Sequence, residues 1–352
     1  MINFSSNNIR VINRKDYFPQ TNSRSSSAGV VAHPQYSEQQ NKIYTYSTTV
    51  KSPGLQYFLS NMAKNSTFEE KSNTSSPIGA DGKVRLKIGY INDVHGQYVK
   101  LEKIGDALKD CDLRFSGGDN MLGDDRNQKV NECILKYMDG EDYESSALGN
   151  HDVDMSKKNF DELTKNLKMK YLAKNFRQDV KSKNATGEKD AYIHDKLVDS
   201  YIGEYKGVKY GVVGVAPVDM TTRMTHPELY NDFKTDNLDE TIKGIQEEVD
   251  DLKKQDIKHI FLLSHVGHFS DRVIAEKTSG IDVIIGGHSH NYVDGIQPGK
   301  NLFLSKDNEP VLITNAEKDG NYYGKAELVF DDKGVLVGAS NNLYEKSIII
   351  SL

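Results

Sequence analysis

From Val84 onward the chain alternates two kinds of segment. Short apolar runs of strand length recur: VRLKIGYI, DLRFSGG, YESSALG, KYGVVGVA, KHIFLLS and IDVIIGG. Near-continuous runs of this kind predict strands buried on both faces. Between them lie charged stretches of helical period. In NLDETIKGIQEEVDDLKKQ the residues Ile242, Ile245, Val249 and Leu252 fall on one side, and SDRVIAEKT predicts a second helix. Strands alternating with helices predict an α/β layered domain. Near the end, AELVFDDKGVLVGA predicts a closing β-hairpin turned at Asp331-Asp332-Lys333-Gly334. The chain shows no internal repeat.

Residues 1–82 lack this pattern. Stretches such as TNSRSSSAG and KNSTFEEKSNTSSPIGADG are rich in Ser, Asn and Thr. They carry too little apolar surface to offset the entropy of ordering them. The expectation is a polar, largely disordered N-terminal arm over 1–82 and a folded domain over 83–352. Within the arm, Leu55, Phe58, Leu59 and Met62 share one helical face. They predict a short helix that docks on the body or on a protein partner.

Charge narrows the function classes. Lys+Arg number 45 and Asp+Glu 51, a net charge of −6. Duplex nucleic acid needs a basic face, so it is not an expected partner. The two cysteines, Cys111 and Cys133, make no disulfide framework and are expected as buried, reduced thiols. No apolar run approaches the ~20 residues of a membrane span. The opening MINFSSNNIRVINRKDYFPQ has no apolar core after its charges, so no secretory signal is predicted. These features together predict a soluble, cytoplasmic protein.

Polar clusters stand directly after the predicted strands. They are Asp93-Val94-His95-Gly96, Gly117-Gly118-Asp119-Asn120, Gly149-Asn150-His151-Asp152, His265-Val266-Gly267-His268 and Gly286-Gly287-His288-Ser289-His290. In open α/β sheets ligands bind at the carboxyl ends of strands, so five clusters distant in sequence are expected on one rim. Besides His268 at the end of its cluster, five of the chain's ten histidines, 95, 151, 265, 288 and 290, lie in them. Imidazole nitrogens mixed with carboxylate and amide oxygens suit Mn, Zn, Fe or Co better than Ca. Asp93 and His95 are two apart, as are His288 and His290. On extended backbone the members of each pair point the same way. The glycines beside them allow tight backbone paths near a ligand.

The order D-x-H, G-D, G-N-H-[DE], H, G-H-x-H resembles the calcineurin-like metallophosphoesterases. INDVHG, GGDNMLG, ALGNHDVD, YLAKN, YKGVKYGVVGVA, LLSHVG and GIDVIIGGHSHN resemble the bacterial 5'-nucleotidase and 2',3'-cyclic phosphodiesterase branch. DGNYYGKAELVFDDKG resembles the strand pair that closes the catalytic domain there. The resemblance covers about 84–335 and implies a four-layer αββα sandwich. The branch's C-terminal nucleotide-binding domain is expected to be absent, so nucleotide specificity does not carry over. The Ser/Thr phosphatase pattern G-D-x-x-D-R-G is not met, because Gly118-Asp119 is followed by Asn120-Met121-Leu122-Gly123.

The resemblance implies two divalent ions, Mn, Zn, Fe or Co, with Mg admissible. It implies Asp93, His95 and His290 on one ion, Asn150, His265 and His288 on the other, and Asp119 bridging. A metal-bound hydroxide would attack phosphorus in line. Asn150 and His151 would face the phosphate, and His151 would stabilise or protonate the leaving oxygen. Asp154 would orient His151, and Asp152 would be structural. The expected substrate is a small phosphomonoester or cyclic phosphodiester, with nucleotides among the candidates. The alternatives are a nuclease or other ester hydrolase of the superfamily, or a non-catalytic, metal-stabilised binding module. His268 is read as a rim residue, Tyr98 and Tyr292 as candidate pocket residues, and Arg126 as solvated. His33, His194, His226 and His259 are read as ordinary.

Overall fold

The computed structural model describes residues 55, 56, 58–60, 76–123, 125–178 and 197–345. Most of the polar arm lies outside them, with Met62, His33 and His194. The first sheet is built from β1 (Val84–Ile91), β2 (Leu113–Ser116), β3 (Ser145–Ala147), β4 (Lys170–Leu172), β6 (Leu197–Val198), β15 (Tyr322–Phe330) and β16 (Leu336–Glu345). Its strand order is β16-β15-β1-β2-β3-β4-β6. The second is built from β7 (Ser200–Tyr205), β8 (Val208–Val215), β10 (His259–Ser264), β11 (Val283–Gly286), β12 (Tyr292–Val293), β13 (Leu302–Leu304) and β14 (Pro310–Ala316). Its order is β12-β14-β11-β10-β8-β7, with β13 also on β14. A small ribbon pairs β5 (Phe176–Gln178) with β9 (Phe233–Thr235).

Three apolar layers hold the domain together. Between the sheets, Ile88, Tyr90, Phe115 and Ala147 of the first meet Val212, Phe261, Leu263 and Ile285 of the second. The outer face of the first sheet carries α1 (Tyr98–Gly105), α2 (Gln128–Gly140) and α3 (Lys157–Thr164), through Leu101, Ile104, Ile134 and Phe160. A single turn, α4 (Met220–Arg223), follows β8. The outer face of the second sheet carries α5 (Leu238–Lys254) and α6 (His268–Lys277), through Ile245, Val249, Leu252 and Ile274. The expected αββα sandwich is therefore the fold.

Local chemistry explains the boundaries. A capping box starts α5: the Asn237 side chain accepts from Glu240 N–H while Glu240 accepts from Asn237 N–H. Such a cap contributes about 1 kcal/mol. The turn closing β15 to β16 is an Asx turn. Asp331 Oδ1 accepts from the N–H groups of Lys333 and Val335, with Gly334 at φ +90°.

Phe58 is fully buried in the inter-sheet core, with Leu55 and Leu59 packed beside it. Three residues of the predicted helical face, Leu55, Phe58 and Leu59, thus pack on the body, and Met62 lies outside the described residues. The thiols correct the expectation of burial: both are free, but Cys111 is half-buried and Cys133 exposed on α2. Among the described residues no helix is long and apolar enough to cross a membrane.

Candidate active site

Parallel pairing puts the carboxyl ends of β1, β2 and β3 on one edge of the first sheet. The same holds for β8, β10 and β11 in the second. The two edges meet backbone to backbone. A Cβ on Gly117 would lie 2.5 Å from the Gly286 carbonyl oxygen, and one on Gly287 would lie 2.5 Å from that of Gly117. Only glycine permits this approach, and it lets loops from both sheets share one space.

All five clusters converge there. Ligand atoms of Asp93, His95 and His290 lie within 4.8 Å of one another, as do those of Asp119, His265 and His288. His95, Asp119 and His151 form a third such group. Asp119 Oδ2 lies 2.9 Å from His265 Nε2 and 3.5 Å from His95 Nε2. Asp93 Oδ1 lies 3.3 Å from His290 Nε2 and 3.7 Å from His95 Nε2.

The backbone differs from the extended pairs expected. Asp93, His95, Asp119, His288 and His290 all have φ between 48° and 71°. Left-handed turns, not strand ends, carry these side chains. His288 and His290 consequently diverge, one toward Asp119 and the other toward Asp93. Such conformations cost on the order of 1–3 kcal/mol each and concentrate at functional sites.

The donor set fits metal ions. Asn150 Oδ1, His95 Nε2 and His265 Nε2 are buried without a hydrogen-bond partner. Buried polar atoms are normally paired, so these three call for another partner, and two of them, the imidazole nitrogens, face the same Asp119 oxygen. The His265 ring is oriented from behind, its Nδ1–H donating to Gly117 O at 2.6 Å, which leaves Nε2 its lone pair. Electrostatics point the same way. Burial pushes the His265 imidazole down, but Asp119 and Asp93 outweigh it and raise it to about 10. His95 is likewise opposed by burial and raised to about 9 by Asp119 and Asp319. The buried carboxylates thus demand positive charge, which divalent cations supply.

His151, a member of the third group, also has a carboxylate of its own. Its Nδ1 lies 2.8 Å from Asp154 Oδ2, and its backbone N–H donates to Asp119 Oδ1 at 2.8 Å. The Asp154 bond raises the imidazole above its ordinary value. Asp154 is itself buried, and its Oδ1 accepts from Thr225 N–H. The His151 side chain is 37 % exposed and meets the His95 ring edge-on.

Asp152 is fully buried and accepts four backbone N–H bonds, from Asp119, Asn120, Met121 and Gly149, at 3.0–3.1 Å. It ties the GGD loop to the GNHD loop. A Cβ on Gly149 would fall 2.0 Å from Asp119 Oδ1, so this crossing also needs glycine.

Among the other singled-out residues, His268 Nε2 takes Lys300 O at 2.9 Å and Arg126 is exposed. Tyr98 packs on Tyr137, while Tyr292 is 54 % exposed beside Tyr322. His226 pairs with Glu228, and His259 is buried against Phe330. Sequence reading missed two contributors. Asn92 Nδ2 donates to Asp93 Oδ2 at 2.6 Å, and Asp319 Oδ1 lies 2.9 Å from His95 Nδ1. Asn92 was visible inside INDVHG and Asp319 opens DGNYYGKAELVFDDKG, but neither stretch shows what its side chain touches.

A family model described as calcineurin-like phosphoesterase matches residues 86–292, which include every residue of the cluster from Asp93 to His290. Over 312 residues the chain is 27% identical to the trifunctional nucleotide phosphoesterase protein YfkN of Bacillus subtilis (strain 168), covering 78% of this chain and 20% of that protein. Over 231 residues it is 30% identical to the snake venom 5'-nucleotidase of Naja atra, covering 61% of this chain and 40% of that one. The crystal structure of the 5'-nucleotidase precursor from Thermus thermophilus superposes with a TM-score of 0.62 at 19% identity, over 74% of this chain and 54% of that one. At that identity the likeness is one of fold. The chain spans a fifth to two-fifths of the length of these two curated relatives.

Proposed function

The chain belongs to the calcineurin-like phosphoesterases, and from that premise we propose that it is a dinuclear-metal-dependent hydrolase of a small phosphomonoester or cyclic phosphodiester, 5'-nucleotidase-like in its chemistry. The observation that carries this reading is the convergence of two unpartnered nitrogens, His95 Nε2 and His265 Nε2, on the buried carboxylates Asp93 and Asp119, with Asn150 Oδ1 a third buried atom that has no hydrogen-bond partner.

Asp93, His95 and His290 would hold one cation, Asn150, His265 and His288 the other, and Asp119 would reach both. Two such cations supply a water acidified for attack and neutralise charge on the phosphoryl oxygens. The chain's own residues do the rest. Asp119 is fixed by the His151 N–H on Oδ1, which leaves Oδ2 for the cluster. Asp154 accepts the Nδ1–H of His151, which would leave Nε2 of the part-exposed ring as the proton donor. That nitrogen would hand its proton to the leaving oxygen as the P–O bond breaks. Asp152 keeps the Asp119 and His151 loops in register through its four accepted bonds.

The test is hydrolysis of p-nitrophenyl phosphate, bis-p-nitrophenyl phosphate, 5'-AMP and 2',3'-cyclic AMP by metal-stripped protein, with Mn, Zn, Co or Mg restored. Turnover that appears only with metal supports the reading, and the preferred ester separates monoesterase from diesterase. Folded, metal-loaded protein that turns over none of the four contradicts it.

A further inference from the structure

One contact at the site has no role in that chemistry. Asp319 Oδ1 lies 2.9 Å from His95 Nδ1, and the Asp319 backbone N–H donates to Asp93 O at 2.6 Å. A single residue, 224 positions beyond His95, therefore grips both members of the D-x-H cluster. Its side chain is 34 % exposed, so it is not there to fill a core.

The turn that carries it is heavily constrained. Glu317 has φ +63°, Asp319 +56° and Gly320 +63°. Non-glycine residues keep such conformations only where their surroundings over-determine them. Here Glu317 N–H donates to Asn291 O at 3.0 Å, and Glu317 O accepts from Asn92 Nδ2 at 2.7 Å. Asn321 Nδ2 donates to Glu317 Oε2 at 2.9 Å, while Asn321 Oδ1 accepts from Lys100 Nζ at 2.7 Å. The turn is thus bonded to the loop after β1, to the loop after β11 and to α1.

We propose that Asp319 is a positioning residue of the metal site. It accepts the Nδ1–H of His95, fixes the tautomer that leaves Nε2 its lone pair, and aims that nitrogen at the cation shared with Asp93 and His290. This rests on the metal assignment made above. The other cluster is supported differently, because the Nδ1–H of His265 goes to a neutral carbonyl, Gly117 O. A carboxylate behind an imidazole makes it the more basic ligand. The carboxylate behind His95 Nδ1 thus makes the affinity of the Asp93–His95–His290 cluster depend on a side chain outside the ligand set.

Losing a partner of this kind costs about 10- to 100-fold in metal affinity. The test titrates metal-stripped, full-length chain with Mn²⁺ or Zn²⁺ by calorimetry and follows the visible spectrum on Co²⁺ addition. Wild type is compared with Asp319→Ala, Asp319→Asn and Asp319→Glu. The expected result is two ions on every protein, with one weakened 10- to 100-fold in Asp319→Ala and the other unchanged. Asp319→Asn, which still accepts the Nδ1–H, loses less, and Asp319→Glu restores part of the affinity. The melting temperature of the stripped protein stays level across the series. Identical titrations for wild type and Asp319→Ala overturn the proposal and leave the metal assignment standing. A weakening that tracks a fallen melting temperature makes the role structural and overturns it too. A wild-type chain that takes up no ion removes the metal assignment, and this proposal with it.

Discussion

Two histidines at the site lean on a carboxylate through Nδ1 at nearly the same distance, 2.8 Å for His151 with Asp154 and 2.9 Å for His95 with Asp319. The pairs differ at the far side of the ring. His95 Nε2 is buried between Asp119 at 3.5 Å and Asp93 at 3.7 Å, with no hydrogen bond of its own. His151 has its side chain 37 % exposed. On the reading proposed above, one module would serve two purposes. Between buried carboxylates, the His95 ring would be a ligand that shares a cation. The more exposed His151 ring would be a proton carrier for the docked ester.

The largest effect separates the two rings. His95→Ala is expected to abolish turnover together with the loss of one ion per chain, read by elemental analysis and a substrate assay on the same sample. His151→Ala is expected to lower kcat by about 10²–10⁴-fold, the range for removing a positioned proton donor. A smaller effect probes the support of His151. Asp154→Asn leaves the proton donor present but weakly oriented, so its loss of kcat is expected at ~10-fold, below that of His151→Ala. Equal losses in the two variants would show that Asp154 does more than orient.

The smallest effect comes from a histidine with no carboxylate partner. His259 is 5 % exposed, packs on Phe330, and is lowered to about 4 by burial and the neighbouring Lys258 charge. Its native form is neutral. As pH falls below 6.5 the unfolded chain gains a proton that the folded chain refuses, so stability drops, and the drop ends near pH 4. The full span is worth up to about 3 kcal/mol. Denaturant midpoints from about pH 7 to 4 should therefore fall less for His259→Phe than for wild type. Parallel curves would remove His259 as a source of acid sensitivity.

Legibility followed sequence distance. The central strands were readable because burial on both faces writes itself as an unbroken apolar run, as in HIFLLS and VIIG. The edge strand Ser200–Tyr205 was not, because its half-buried positions include Ser200 and Gly203 and its exposed ones are Ile202 and Glu204, so no unbroken apolar run forms. Pro310 opens β14, a position where a missing N–H is tolerated but which reads as a break in sequence. At the site, the five clusters were readable because each sits within a few residues of a strand end. His151 and Asp154 are three apart in one tight turn, so that pair was visible. His95 and Asp319 meet because the turn after β14 leads into β15, which pairs antiparallel with β1 (Tyr90 with Gly324), a contact between segments far apart in sequence that no local pattern encodes. The left-handed backbone at Asp93, His95, Asp119, His288 and His290 was also hidden. Asp and His tolerate it better than branched residues, yet nothing in their order announces it.

His95 and His151 are alike in their support and are proposed to differ in function. The most direct measurement is the metal content of purified, metal-reconstituted His151→Ala protein, taken beside its turnover. Two ions per chain with turnover lost is the predicted result. A variant that loses an ion along with its activity would make His151 a ligand like His95 and contradict the account.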